Sequence, residues 1–233
     1  MIIGILQCDY VRPQYEHLLD VYGDMFVELF ERHCPEMQTR IYDVMHGEYP
    51  ASMDECDGYL ITGSKHSVYE DLDWINQLKA YVRELAQAEK KVVGICFGHQ
   101  LLAAALGGRT VKSEKGWGVG VHQVQVNSKK SWMEPALEGV HLNVSHQDQV
   151  VELPENAEVL GGNGHCAVGL FVIGDTCLGI QGHPEIGRPY LEISMASRAE
   201  QIGTDTLAKA KASLSQPTDE RIVARWIYNF FAQ

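Results

Sequence analysis

VVGICFGHQLLAAALGG, residues 92–108, decides how this chain is read. An apolar run reaches Gly94, turns through Ile95, Cys96 and Phe97, and continues as a small-residue helix. The run predicts a buried strand over 91–95 (KVVGI) and a helix over 97–106. The G-x-C-x-G corner between them has the pattern of a nucleophile elbow, with Cys in place of Ser. A sharp strand-to-helix turn crowds the backbone, and glycines at 94 and 98 remove the Cβ atoms that would clash. A thiol at that corner sits by a helix N-terminus, where unpaired N–H groups and the macrodipole favour a thiolate. The N–H of Phe97 is placed to bond a developing oxyanion. The alternative is a small buried cysteine in a tight turn, and the short motif alone leaves both readings open.

Working outward, strand patterns alternate with helical ones. Strands are expected at IIGILQ (2–7), TRIYDV (39–44) and DGYLITG (57–63). Apolar positions at helical spacing, including Leu18, Leu19, Met25, Phe26, Leu29 and Phe30, predict a helix over 15–33, and WINQLKAYVRELAQAE predicts another over 74–89. This alternation implies an α/β fold with a mostly parallel sheet between helical layers. Beyond about residue 109 the pattern changes to short strands: VGVHQVQV, HLNVSH, QVVELP, AEVLGG, AVGLFVI and CLGIQGH. They predict an antiparallel extension with little helix before residue 187. ERIVARWIYNFFAQ closes the chain as an amphipathic helix. With no linker, repeat or low-complexity segment, one domain over 1–233 is expected, with a core to about 187 and a helical segment over 187–233.

A thiol nucleophile needs a base, and the base needs an orienting group. Of ten histidines, most have ordinary readings. His17 and His33 fall on the first helix, while His46, His66 and His122 lie in loops or on strand faces. His99 starts a helix and is expected to point away from the thiol. His183 differs. It ends an apolar strand in CLGIQGHPEIG, at the sheet edge where open α/β sheets place their sites. Glu185, two residues on, can accept from one imidazole nitrogen and leave the other for the thiol, with Pro184 stiffening the spacing. An isolated HPE is an ordinary turn; with the elbow it favours a site. Gly63, ending the strand in LITGSKHSVYED, would let a backbone N–H approach a substrate carbonyl, or is simply a strand-end turn.

The bulk numbers exclude several classes. Apolar residues make up 45% of the 233 and charged residues 21%, which predicts a packed core rather than disorder. The net charge of −12 argues against a nucleic-acid surface or an anionic-lipid anchor. The cysteines at 8, 34, 56, 96, 166 and 177 form no CxxC and no zinc spacing, so no disulfide framework or metal site is expected. MIIGILQCDY lacks the regions of a signal peptide, and no apolar run is long enough to span a membrane. A cytoplasmic protein is expected.

Together LITGS (60–64), GICFGHQLLAAALGG (94–108), GWGVG (116–120), SHQDQVVELPENAEVL (145–160) and QGHPE (181–185) resemble a class I, triad-type glutamine amidotransferase. The resemblance is strongest to stand-alone members of the GMP-synthetase-like branch, and its motifs occur in family order over most of residues 1–187. It implies a flavodoxin-like three-layer α/β/α fold that hydrolyses the glutamine side-chain amide without a cofactor. It also implies roles. Cys96 would be the nucleophile, His183 the base and Glu185 its orienter. Gly63 and Phe97 would form the oxyanion hole. Gln100 would hold the glutamine, and the backbone of the Ser145-His146 segment would bind its amino-acid end. The chain departs from the fused enzymes in lacking an SGGxDS-type loop and a GxxxxGK[ST] loop, and GGNGHCA (161–167) reads as a turn. Ammonia would therefore pass to a separate synthetase. Two alternatives stand beside this reading. A γ-glutamyl peptidase would use the same triad, and a binding or regulatory protein could share the fold. A redox role for Cys96 is a weaker variant, because no resolving cysteine is near in sequence.

Overall fold

The computed structural model describes residues 1–10 and 22–233. The expected helix over 15–33 is seen from Tyr22; Leu18, Leu19 and His17 lie outside the described residues. Strands β1 (Ile2–Gln7), β2 (Gln38–Asp43), β3 (Gly58–Ile61) and β4 (Lys91–Ile95) alternate with helices α1 (Tyr22–His33), α2 (Asp73–Gln87) and α3 (Phe97–Ala105). Then follow β5 (Arg109–Lys112), β6 (Gly118–Val126), β7 (Gly139–His146), β8 (Asp148–Glu152), β9 (Ala157–Gly162), β10 (Leu170–Ile173) and β11 (Cys177–Ile180). The chain closes with α4 (Arg188–Ser197), α5 (Ala199–Ile202), α6 (Thr204–Ser213) and α7 (Glu220–Ala232).

Nine strands form one sheet in the order β2-β1-β3-β4-β11-β10-β9-β6-β7. The pairs from β2 to β11 are parallel, and those from β11 to β7 are antiparallel. β5 was not anticipated in the sequence; it pairs with β8 in a separate two-stranded sheet. The strands expected at 167–173 and 177–183 are shorter, because the backbone leaves the ladder at 167–169 and after Ile180. Residues 161–167 end β9 and turn, with Asn163 Oδ1 accepting from the N–H groups of His165 and Cys166.

Central parallel strands must be apolar on both faces, because helices cover both. β3 and most of β1 and β4 are accordingly buried, whereas edge strand β2 is largely exposed. On one face, Ile75, Leu78, Val82 and Leu85 of α2 pack with Leu101 and Leu102 of α3. On the other, Phe26, Leu29 and Phe30 of α1 meet Val223, Trp226, Ile227 and Phe230 of α7. Each such buried side chain stabilises the fold by about 1.5–3 kcal/mol. The result is a flavodoxin-like three-layer α/β/α architecture with an antiparallel extension. A further cluster joins Val119 and Val121 of β6 to Ile186, Leu191, Met195, Ile202, Ala210 and Leu214, seating α4–α6 on the extension. Among the described residues no helix is long and apolar enough to cross a membrane.

The elbow depends on its glycines. A Cβ at Gly94 would overlap the Gly98 carbonyl, and a Cβ at Gly98 would overlap the Ile61 carbonyl on β3. Both obstacles are backbone and cannot swing aside. Gly94→Ala should therefore cost about 2 kcal/mol or more of stability, the scale of overpacking a tight core. Urea unfolding reads this directly; a variant as stable as wild type would mean the turn relaxes without cost.

Candidate active site

Three neighbouring parallel strands end together. Ile61 of β3 pairs with Gly94 of β4, and Ile95 of β4 pairs with Ile180 of β11. The segments following these strands therefore leave the same sheet edge and bring Gly63, Cys96 and His183 into one place. Cys96 has φ 50° and ψ −98°, a conformation rare for a side-chain-bearing residue. It precedes the first turn of α3, and its N–H donates to the Ile180 carbonyl at 2.9 Å, locking the elbow to β11.

His183 is held from the antiparallel side. Its N–H donates to the Asn143 carbonyl at 2.8 Å, and Asn143 Nδ2 donates to the Ile186 carbonyl at 2.6 Å. This pair of bonds from β7 fixes the loop 183–186. Nδ1 of His183 meets Glu185 Oε1 at 2.7 Å, and both side chains are almost wholly buried. Burial opposes a charged imidazole here, but the Glu185 carboxylate and the neighbouring Cys96 sulfur together outweigh it and hold its pKa up to about 10. Oε2 of Glu185 has no hydrogen-bond partner among the described residues.

The loop after β3 is braced by the end of β1. Cys8 N–H donates to Thr62 Oγ1, and Asp9 accepts from both the backbone N–H and the Nζ of Lys65 at 2.7 and 2.9 Å. Gly63 leaves no room for a side chain, because a Cβ would come within 2.7 Å of the Tyr22 hydroxyl and 3.0 Å of His183 Cε1. Gln100 is buried one helical turn beyond the elbow; its Nε2 donates to the Asp148 carbonyl and to Gln181 Oε1. Ser145, near the end of β7, accepts at Oγ from Arg198. His146 is buried and lies 3.0 Å from the Asp148 carbonyl through Nδ1, and burial pushes its pKa down to about 3. It is therefore neutral, with Nδ1–H donating and Nε2 left as an acceptor. His99 packs on Phe171 under Gly179, and burial likewise pushes it down to about 3.

Two spaces meet at Cys96. One, of about 30 Å³, is lined by His183, Tyr22, Asp9, Tyr190 and Ser194. The other, of about 370 Å³, is open and lined by Gln100, His146, Asp148, Trp117 and Gln201. Ser64, Lys65, Cys96, Ser145 and Arg198 border both. Among the described residues no cluster of His, Cys, Asp or Glu could hold a metal ion, and all six cysteines are unpaired. The arrangement puts a thiol on a strained backbone, a helix N-terminus and the His183 imidazole at one cavity, with the buried Glu185 carboxylate paired to the imidazole, the parts that acyl transfer requires.

Sequence reasoning missed Tyr22, Asp9, Lys65, Ser194 and Arg198. Asp9 and Lys65 carried a signal, since each directly follows a parallel strand or its turn at the site edge. Tyr22, Ser194 and Arg198 carried none, because they reach the site through the packing of helices.

The raised pKa of His183 can be read directly on the ring. Its imidazole should stay charged well above the ordinary 6.5 and lose its proton only as pH rises toward 10. Ring-carbon shifts in NMR spectra at stepped pH check this, with the signal identified by its loss in His183→Gln. A ring that titrates near 6.5 would show that His183 is not held charged by its neighbours.

The description "Glutamine amidotransferase class-I" fits residues 18–190. Gamma-glutamyl peptidase 3 of Arabidopsis thaliana is 29% identical to this chain, covering 96% of it and 91% of the relative. Gamma-glutamyl peptidase 4 of the same plant is 35% identical over 77% of this chain and 74% of its own. A glutamine amidotransferase from Thermotoga maritima shares the fold with a TM-score of 0.77 over 99% of both chains, at 17% identity. With the family pattern running through the elbow, the strand ends and the His183 loop, the chain belongs to the class I glutamine amidotransferase family.

Proposed function

We propose that this protein hydrolyses γ-glutamyl amide bonds through a thioester on Cys96. The observation that carries the reading is the buried His183–Glu185 pair beside a thiol held at positive φ on a helix N-terminus. Cys96 passes its thiol proton to His183 and its sulfur attacks the γ-carbonyl carbon, the carbonyl π electrons moving onto oxygen. The N–H groups of Gly63 and Phe97 receive that oxyanion. Collapse of the tetrahedral species breaks the C–N bond, and His183 gives its proton to the leaving nitrogen. Water then attacks the thioester, losing a proton to His183. Glutamate departs and Cys96 is restored. Glu185 keeps the imidazole in the tautomer and orientation both steps need. Gln100, Ser145 and His146 hold the amino-acid end of the glutamyl group.

The leaving group we favour is an amino acid or peptide. Gamma-glutamyl peptidase 3 matches 96% of this chain, and so most of the helices after the family region, and an open space of about 370 Å³ adjoins Cys96. Free glutamine is the second reading, supported by the space of about 30 Å³ beside His183, which suits a leaving group the size of ammonia. In that case the ammonia passes to a separate synthetase. The elbow chemistry is the same in both.

Glutamine, glutathione and other γ-glutamyl amides should be incubated with the purified protein, with glutamate, amine and ammonia measured separately. Glutamate with amine and little ammonia is the expected result; ammonia from glutamine alone would select the second reading. Cys96→Ala should reduce turnover at least about a thousandfold, and an electrophilic glutamine analogue should add mass at Cys96. Full turnover by the variant, or labelling at another cysteine, would overturn the mechanism.

A further inference from the structure

Residues 188–213 begin where the family region ends, at residue 190, and have no role in the elbow chemistry. They form α4, α5 and α6, seated by Leu191, Met195, Ile202 and Ala210 on Val119 and Val121 of β6. The joint between α4 and α5 is Arg198. Its Nη1 donates to Ser145 Oγ at 3.1 Å and to Ser194 Oγ at 3.2 Å, and its guanidinium lies 5.6 Å from the centroid of the Trp117 ring. The side chain is thereby aimed from a packed platform into the wall shared by the two spaces that meet at Cys96.

The charge of Arg198 sets it apart from its neighbours. Lys65, on the same wall, is paired with Asp9, and Arg188 on α4 is paired with Glu192. Arg198 has only hydroxyl partners and an aromatic face; among the described residues no carboxylate pairs with it. Hydroxyls satisfy some of its five N–H groups but do not balance its charge. A planar guanidinium fixed over a ring is a ready fork for a carboxylate, which it can hold through two parallel bonds.

We infer that Arg198 recognises the carboxylate of an amino-acid leaving group, making this enzyme selective for γ-glutamyl amides of amino acids over simple amides. The inference rests on the γ-glutamyl hydrolase reading above. Two observations place the carboxylate on the leaving group rather than on the glutamyl end. First, Arg198 borders both spaces and so reaches the small one that contains His183, the residue that protonates the leaving nitrogen, a space that Gln100 and His146 do not border. In a γ-glutamyl amino acid, the leaving carboxylate is two bonds from that nitrogen. Second, Arg198 lies outside the family region of residues 18–190, as suits a device added to a shared acyl-transfer core.

The test compares γ-glutamyl-alanine with γ-glutamyl-alaninamide, which lacks only the leaving-group charge. Wild type should prefer the acid on the order of 10- to 100-fold in kcat/KM, the range of a charge-assisted contact. In Arg198→Met the ratio should fall to about one, and Arg198→Lys should keep part of it. A general loosening of α4–α6 would slow both substrates alike and leave the ratio intact. An unchanged ratio in Arg198→Met, or no preference in wild type, overturns the inference. So does an equal loss on both substrates, which would place Arg198 at the glutamyl end or in a structural role. The same ratio should be measured as dissociation constants by calorimetry on Cys96→Ala protein with and without Arg198→Met. If wild type hydrolyses neither compound, the hydrolase reading fails while the calorimetric ratio still decides Arg198. Binding of neither compound overturns both.

Discussion

The close approach of α3 to the end of β3 is the constraint on which this site rests. Gly98 packs so tightly against the Ile61 carbonyl that no side chain fits between them. The same contact forces the chain to turn within a single residue after Ile95, and that residue is Cys96 at φ 50°. Strain at this position persists because the surroundings over-determine it: β4 is fixed between β3 and β11, and the Cys96 N–H is tied to Ile180. The thiol is held at the sheet edge because the backbone has no other path.

Its partner is positioned by a different part of the fold. His183 leaves β11, next to the elbow, but the loop that carries it is pinned by Asn143 on β7, at the far edge of the sheet. The antiparallel extension thus curls back to brace the end of a central parallel strand. Burial of His183 and Glu185 together lets the carboxylate act at short range in a low-dielectric setting, and with the Cys96 sulfur it outweighs desolvation. The end of β1 performs a similar service for the third strand end, through Asp9 and the loop that contains Gly63. Each group at the site is thereby supported by an element other than the one that carries it.

The helices after residue 187 add a wall rather than a layer. They pack on the extension and present Arg198 to Ser145, across from the thiol. In the function we propose, a core shared with amidotransferases and a wall supplied by the C-terminal segment divide the work: the first would supply acyl chemistry, and the second would shape what is attached to the scissile nitrogen.

The sequence alone determined the parts governed by local sterics and short-range order. Strand β4, the elbow and α3 were legible because Gly94 and Gly98 have few other uses around a cysteine. Glu185 was legible beside His183 because two residues separate a ring from a carboxylate that can reach it. The alternation of strands and helices fixed the layered class, since apolar runs of strand length need helices on both faces. Strand β5 was not legible: four residues with one buried side chain give no periodic signal, and its pairing with β8 is a long-range event. Nor were Tyr22, Ser194 and Arg198, which lie far from Cys96 along the chain and arrive only when α1 and α4 dock. Only the tertiary structure decided that an arginine with no carboxylate partner among the described residues borders the same spaces as the thiol, because charge pairing is a property of neighbours in space.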